Sequence, residues 1–336
     1  MGIKNLNSVL KNHIIFPKMN VKDISNKIVG IDFSLFLYRF IYNQNNPYEC
    51  FLRQIILFLK NNILPVYVLD GNAPIEKSSI LNKRAIKRLK ISEELEKLIL
   101  LKEKLISSNS SSLKISILEN DINKLEKKSV QFSRDITQNL IDFFELCGIP
   151  VIKENCESDW ILAKLSQYKL IDYILSEDSD LFAFGAQKVM KNFCIQDETF
   201  NLYDREIILN NLEINQNEFI DVCILCGCDY APKIKNMNCQ KSFELIKTQK
   251  NIENIKDFNI NIDLINTARN VFLKEIDNEL LIELTIKITK NEFQYDKLEQ
   301  FLINNIEKKY LIPIFIRTCR KFINYKFTRK NSFKPV

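Results

Sequence analysis

Short apolar runs that stop on an acid recur through the first half of this 336-residue chain. Ile28-Val29-Gly30-Ile31 runs into Asp32, and Val66-Tyr67-Val68-Leu69 runs into Asp70. "GIPVIKEN" holds a third run. "DYILSEDSD" holds a fourth, with Tyr173-Ile174-Leu175 leading to Glu177, Asp178 and Asp180. Runs this short, bounded by turn residues, read as buried strands. Between them, apolar positions fall at helical spacing over 34–43, 49–61, 132–146 and 158–168. Strands alternating with helices predict an α/β fold with a mainly parallel central sheet and flanking helices.

Two stretches break this rhythm. Residues 71–131 are helical and charged, with the Ser/Asn-rich "ISSNSSSLKIS" at 106–116. They predict two helices joined by a polar turn and inserted between the second and third strands; a coiled-coil hairpin fits the local Leu/Ile/Glu/Lys pattern as well. From about residue 205 the pattern is helical with no clear strand. "NEFIDVCILCGCDYAP" predicts an apolar helix ending near Gly227, with Asp229 in the following turn, and "CQKSFELIKTQKNIENI" restarts as a helix.

The alternation gives the acids a meaning. Open parallel sheets bind ligands beyond the carboxyl ends of their strands. Asp32, Asp70 and the Asp178/Asp180 pair each follow a strand, and Glu157 and Asp159 begin the helix after "IPVI". All six are expected at one sheet edge. Ionised neighbours raise one another's cost, and a divalent cation removes the conflict. Oxygen-only ligands suit magnesium or manganese better than zinc.

Composition adds charge and redox context. Net charge is +6. Residues 77–90 carry six basic side chains and 317–336 carry seven, neither block with an acid. Such blocks point to a polyanion, or to a solvated helix face and a tail. No apolar run reaches the ~18 residues of a spanning helix, and "MGIKNLNSVLKNH" lacks a signal-peptide core, so a soluble intracellular protein is expected. The nine cysteines suggest no disulfide framework; "CILCGC" reads as buried thiols, since zinc would need Cys239 as a fourth ligand.

The blocks "MGIKNL", "VGIDFSLFLY", "LPVYVLDGNAPIEKSSILNKR", "CGIPVIKENCESDW", "LSEDSDLFAFG" and "FIDVCILCGCDYAPKI" follow one another in the order of a known family. Over roughly residues 1–250 the chain resembles the flap endonuclease / XPG family of structure-specific 5′ nucleases. The resemblance implies a PIN-like 5′ nuclease fold. It divides the chain into an N-terminal nuclease region (1–105, with a helical arch at about 71–131), an internal nuclease region (135–220) and a C-terminal helical DNA-binding region (221–336). It implies that Asp32, Asp70, Glu157, Asp159, Asp178, Asp180 and Asp229 hold two magnesium ions, with manganese as a substitute; Asp159 stands where glutamate is usual. Lys77 and Arg84, about two helical turns apart, would act on the scissile phosphate. Lys87, Arg88 and Lys90 would hold the strand backbone. Tyr38 would stack on a base, although its local pattern alone fits a core aromatic. Gly2 would lie beside the active site.

The resemblance also implies flapped or branched DNA as partner, a 5′-phosphate product, a role in replication, repair or recombination, and a monomer. A DNA substrate implies the nucleus, the host's for a viral gene, or cytoplasmic replication sites. The Asn/Ile/Lys-rich composition suits the AT-rich genome of a large DNA virus or a protist. The chain departs from the family at "IKNMNCQKS", 234–242, where Asn236 and Asn238 replace two glycines of a helix–two-turns–helix element. Potassium binding there is in doubt, and Lys235 and Lys241 are the compensating candidates for duplex contact. No sliding-clamp motif is visible in the tail. Phe322, Tyr325, Phe327 and Phe333 are set there among basic residues. The competing readings are a 5′ exonuclease or junction resolvase of the same fold, and an inactive nucleic-acid-binding relative.

Overall fold

The computed structural model describes residues 2–43, 45–108, 112–129, 134–256, 258, 260–289 and 293–324. Seven strands form its sheet: β1 (Lys18–Asn20), β2 (Ile28–Asp32), β3 (Leu64–Leu69), β4 (Val151–Lys153), β5 (Tyr173–Leu175), β6 (Lys188–Cys194) and β7 (Thr199–Asp204). Their order is β1-β7-β6-β5-β2-β3-β4. The run from β6 to β4 is parallel, whereas β7 pairs antiparallel with both β6 and β1. The sequence pattern had shown β2, β3, β4 and β5. It missed β1, β6 and β7 because polar residues interrupt these outer strands, as in "KVMKNFC" and "TFNLYD".

The helices are α1 (Leu6–His13), α2 (Phe33–Tyr42), α3 (Pro47–Lys60), α4 (Ser78–Ser107), α5 (Ser112–Ser129), α6 (Arg134–Leu146), α7 (Ser158–Gln167), α8 (Asp180–Ala183), α9 (Arg205–Leu212), α10 (Gln216–Cys226), α11 (Cys239–Gln249), α12 (Ile262–Leu273), α13 (Asn278–Thr289), α14 (Tyr295–Asn305) and α15 (Leu311–Asn324). A parallel sheet needs both faces covered, and two apolar clusters do this. On one face α1, α7, α8 and α10 to α13 pack around Val66, Ile161 and Ile174. On the other, α2, α3, α6, α14 and α15 pack around Phe51, Tyr67 and Phe144. β2 and β3, each flanked by strands on both sides, are buried at every position.

Asparagine starts many of these helices. Asn46, Asn215, Asn238 and Asn261 each accept a backbone N–H of the first turn, which satisfies a donor the helix cannot. Asp32 does the same for α2, accepting from Leu35 N at 3.1 Å. A side chain at a strand's carboxyl end is thereby fixed by the next helix.

α4 and α5 form the insertion between β3 and β4. They pack on each other, with Lys102 bridging to Glu119 at 2.8 Å. α4 contributes no buried residue, so its long exposed surface stands clear of the core. The cysteine reading needs a correction. Cys226, at the end of α10, is disulfide-bonded to Cys239 at the start of α11. The helix reversal brings their Cα atoms to 4.4 Å, a proximity that sequence spacing did not reveal. Cys223 and Cys228 are buried free thiols.

Gly71 follows Asp70 directly, and its N–H donates to Cys156 O at 2.9 Å. A Cβ there would fall 1.8 Å from Glu154 O, a backbone atom. Gly71→Ala therefore forces the β3 and β4 ends apart. We expect it to destabilise the protein by about 1–3 kcal/mol, read as a lower urea midpoint at unchanged slope.

Candidate active site

The carboxyl ends of β2, β3 and β5 are adjacent, because the sheet runs β5-β2-β3. The acids that follow these strands are therefore neighbours. Asp32 accepts from Ser176 Oγ at 3.0 Å, and the same hydroxyl accepts from Asp178 N at 3.1 Å. Asp178 Oδ1 in turn accepts from Asp180 N at 3.1 Å. Asp70 takes both the backbone N–H and the hydroxyl of Ser158, at 3.1 and 2.6 Å. That bond ties the end of β3 to the start of α7, where Glu157 and Asp159 sit.

Burial makes the crowding costly. Asp32, Asp178 and Asp180 are buried. Burial, then Asp70, pushes the Asp32 carboxyl up to about 7. Burial and then Asp178 hold Asp159 and Asp180 well above the usual carboxylate range. The inner Oδ1 atoms of Asp159 and Asp180 have no hydrogen-bond partner. Unpartnered buried carboxylate oxygens are unfavourable unless a cation or proton meets them.

Two cations of the insertion are turned onto the outer acids. Lys77 Nζ pairs with Glu157 and lies 3.6 Å from Asp229. Arg84 Nη2 pairs with Asp229 at 2.7 Å. Burial works against the Lys77 charge, but Glu157, Asp229 and Asp180 outweigh it and hold the ammonium above its ordinary range. Tyr230 completes this side: its hydroxyl donates to Glu157 at 2.7 Å, and Lys77 lies over its ring at 5.5 Å. With the side chains so placed, no three Cys, His, Asp or Glu residues converge tightly enough to hold a metal among the described residues. The chemistry of the donor set nevertheless fits one. It is all carboxylate oxygen, with two buried lone oxygens and an ion pair that a divalent cation can replace.

Gly2 packs against the acids. The N-terminal segment is held by Ser179 Oγ donating to Ile3 O at 3.3 Å and by Lys4 N donating to Gly227 O at 3.4 Å. Gly2 has φ +79°, and a Cβ on it would lie 2.0 Å from Asp178 Oδ1. Only glycine fits. Glu177 is occupied elsewhere, by Arg39 at 3.3 Å and Asn192 N at 2.8 Å.

The other candidates lie outside the cluster. Tyr38 is 40% exposed and stacked on Tyr42 at 5.9 Å, which rules out the core-aromatic reading. Lys87, Arg88 and Lys90 continue α4 as exposed side chains. Lys235 is exposed in the turn before α11, and Lys241 lies over the Phe258 ring at 4.6 Å. Of the two asparagines in that turn, only Asn236 is left-handed, at φ 59°. Asn238 is extended because its side chain caps α11 at Lys241 N. Tyr325, Phe327 and Phe333 fall outside the described residues, as does the rest of the tail after Asn324. Sequence reasoning did not single out Ser158, Ser176, Tyr230 or Lys191. The two serines had a faint signal, each adjacent to an acid in "CESDW" and "LSEDSD".

Acids massed at the carboxyl edge of a parallel sheet, beneath two arch cations, are suited to phosphodiester chemistry. The XPG N-terminal domain matches residues 1–91 and the XPG I-region matches 148–229, together just over half the chain. The chain is 28% identical over 336 residues to flap endonuclease 1 of Lodderomyces elongisporus, covering 91% of this chain and 83% of that protein. It is 28% identical over 343 residues to flap endonuclease 1 of Plasmodium knowlesi, where it spans only 55% of the relative's length. The fold is similar to the catalytic core of Rad2 in complex with DNA substrate, with a TM-score of 0.64 at 20% identity, covering 94% of this chain and all of that one. The protein is thus a nuclease by class. It belongs to the flap endonuclease / XPG family.

Asp32 makes the metal-free protein sensitive to pH. Its folded-state carboxyl titrates near 7 against 3.8 when unfolded, so the stability it favours is present below about pH 4 and lost as pH rises through about 7. Asp32→Asn should therefore be more stable than wild type above about pH 7 in EDTA, by roughly 1–3 kcal/mol, with the gap closing towards pH 4. Urea melts across that range check it.

Proposed function

We propose that this chain is a magnesium-dependent, structure-specific 5′ nuclease that cuts flapped or branched DNA, leaving a 5′-phosphate and a 3′-hydroxyl. One observation carries the reading: the edge acids and the cations Lys77 and Arg84 meet at Glu157 and Asp229. Asp32, Asp70, Glu157, Asp159, Asp178, Asp180 and Asp229 are the residues that would hold the ions. Bound there, divalent ions would supply Lewis-acid chemistry, lowering the pKa of a water and offsetting charge on the leaving oxygen.

The chain's own groups do the rest. Lys77 and Arg84 are cations on the arch side of the acids, where a phosphate must pass to reach them. Transferred from carboxylate to phosphate, they orient it and stabilise its developing charge. Ser158 and Ser176 hold Asp70 and Asp32 in place through the bonds described above. Tyr38 and Tyr42 offer an exposed aromatic surface for an unpaired base, which suits recognition of structure over sequence. The exposed bases of α4 line the arch and favour threading of a free 5′ end. On this reading the protein works as a monomer. It uses 1–105 and 135–220 as nuclease regions and 221–336 as a helical DNA-binding region, at sites of DNA replication in the nucleus or cytoplasm.

The test is a 5′-labelled double-flap DNA incubated with the full chain starting at Gly2, in magnesium or in EDTA. A cut at or one nucleotide inside the junction in magnesium alone is expected. Mononucleotides or junction nicks instead would move the substrate to an exonuclease or a resolvase. Asp178→Ala and Asp180→Ala should abolish cutting while flap binding persists, and full activity in either would defeat the mechanism. Lys77→Ala should slow single-turnover cleavage by about 10²–10³-fold.

A further inference from the structure

Lys191 is a lysine where a lysine should not be. It sits on β6, one residue beyond Met190, which pairs with Leu175 at the end of β5. That places it at the carboxyl edge, level with Ser176. It is 2% exposed, and its Nζ has no hydrogen-bond partner. Phe182 and Tyr203 enclose the ammonium, with ring centroids 5.4 and 5.5 Å away. Aromatic faces attract a cation, but they do not replace the hydration it has lost.

The acid cluster offsets only part of that loss, because burial still pulls the Lys191 ammonium below its ordinary range against the acids that hold it up. The charged groups that act on Lys191 are, in order, Glu177, Asp178, Asp159 and Asp180. Glu177 is already engaged by Arg39 and Asn192 N, and Asp178 and Asp180 belong to the bonded chain of acids. Lys191 therefore acts on the cluster through space rather than through a hydrogen bond. It differs from Lys77 in one respect. Lys77 comes from the insertion, whereas Lys191 is fixed in the sheet, between rings that leave it no route to solvent.

We propose that Lys191 is a built-in counter-charge of the carboxylate cluster, a positioning residue that keeps the acids gathered without metal and weakens their hold on a divalent cation. The proposal rests on the metal-binding reading above. A single buried positive charge relieves repulsion among the carboxylates. It repels an incoming dication for the same reason, so the ions stay exchangeable.

The experiment uses the full-length, DNA-free protein as wild type, Lys191→Met and Lys191→Arg. Free Mn²⁺ is measured by EPR during titration, with the three proteins compared at one fixed, near-neutral pH. Thermal unfolding is followed in EDTA and in saturating Mn²⁺. Lys191→Met should bind Mn²⁺ about tenfold tighter than wild type. It should unfold at lower temperature in EDTA, with the gap narrowing in Mn²⁺, and Lys191→Arg should follow wild type in both. Equal Mn²⁺ affinity, with the same loss of stability in both buffers, would mean ordinary packing and overturn the proposal alone. If wild type binds no Mn²⁺, the metal reading fails first and this one with it. Should Lys191→Met not fold in either buffer, Glu177→Gln/Lys191→Met decides. Removing the acid that acts on Lys191 most strongly restores folding if Lys191 is a counter-charge, and its failure to do so overturns the idea.

Discussion

Buried carboxylates that repel one another are the constraint around which this molecule is arranged. Bringing acids to one sheet edge raises their electrostatic energy, and burial removes the water that would screen it. The structure answers in three ways. Hydrogen-bond donors fix the strand-end acids: Ser176 for the buried Asp32, Ser158 for the more exposed Asp70, and the backbone N–H of Asp180 for Asp178. Cations of the arch cover the outer ones. The energy that remains is seen in the raised carboxyl pKa of Asp32, Asp159 and Asp180. On the proposed metal-binding reading, a dication at this edge would relieve a cost already present.

The same constraint explains why neighbouring small features are so specific. Gly2 and Gly71 are positions at which a single methyl group would strike an acid or the backbone that aims one. The N-terminal segment is part of the site's wall, pinned to Ser179 and Gly227. The arch serves two ends at once. Its Lys77 and Arg84 are counter-charges to Glu157 and Asp229, and on the proposed reading they would turn to a phosphate once those acids are neutralised. Its first helix buries no residue in the core and packs on its partner α5, so little core packing opposes such a change.

With only six glycines, the chain uses asparagine where others would use glycine or serine. Asn236 takes the left-handed position in the turn before α11, and Asn238 caps that helix instead. One residue type thus supplies both the backbone freedom and the side-chain acceptor that such a turn needs. The Cys226–Cys239 disulfide spans the same reversal from the end of α10 and encloses Asp229.

Much of the design was legible in the chain. Apolar runs ending in acids gave the central strands, the parallel sheet and the edge at which Asp32, Asp70, Asp178 and Asp180 meet. The reason is local: strand alternation and the strand-to-helix turn fix where a side chain leaves the sheet. The basic block was legible for the same reason, since Lys77 and Arg84 are close in sequence, although Lys77 ends a short 3-10 turn (Ile75–Lys77) just before α4 and only Arg84 lies on that helix. The tertiary structure alone decided that these two cations rest on Glu157 and Asp229, that Tyr230 and two serines brace the acids, that Cys226 meets Cys239, and that Lys191 is buried behind the cluster. Each of those depends on residues distant in sequence, and outer strands broken by polar residues carry no period from which to read them. Spacing along a chain reports which residues share an element, whereas the charge felt at a site is set by every element folded around it.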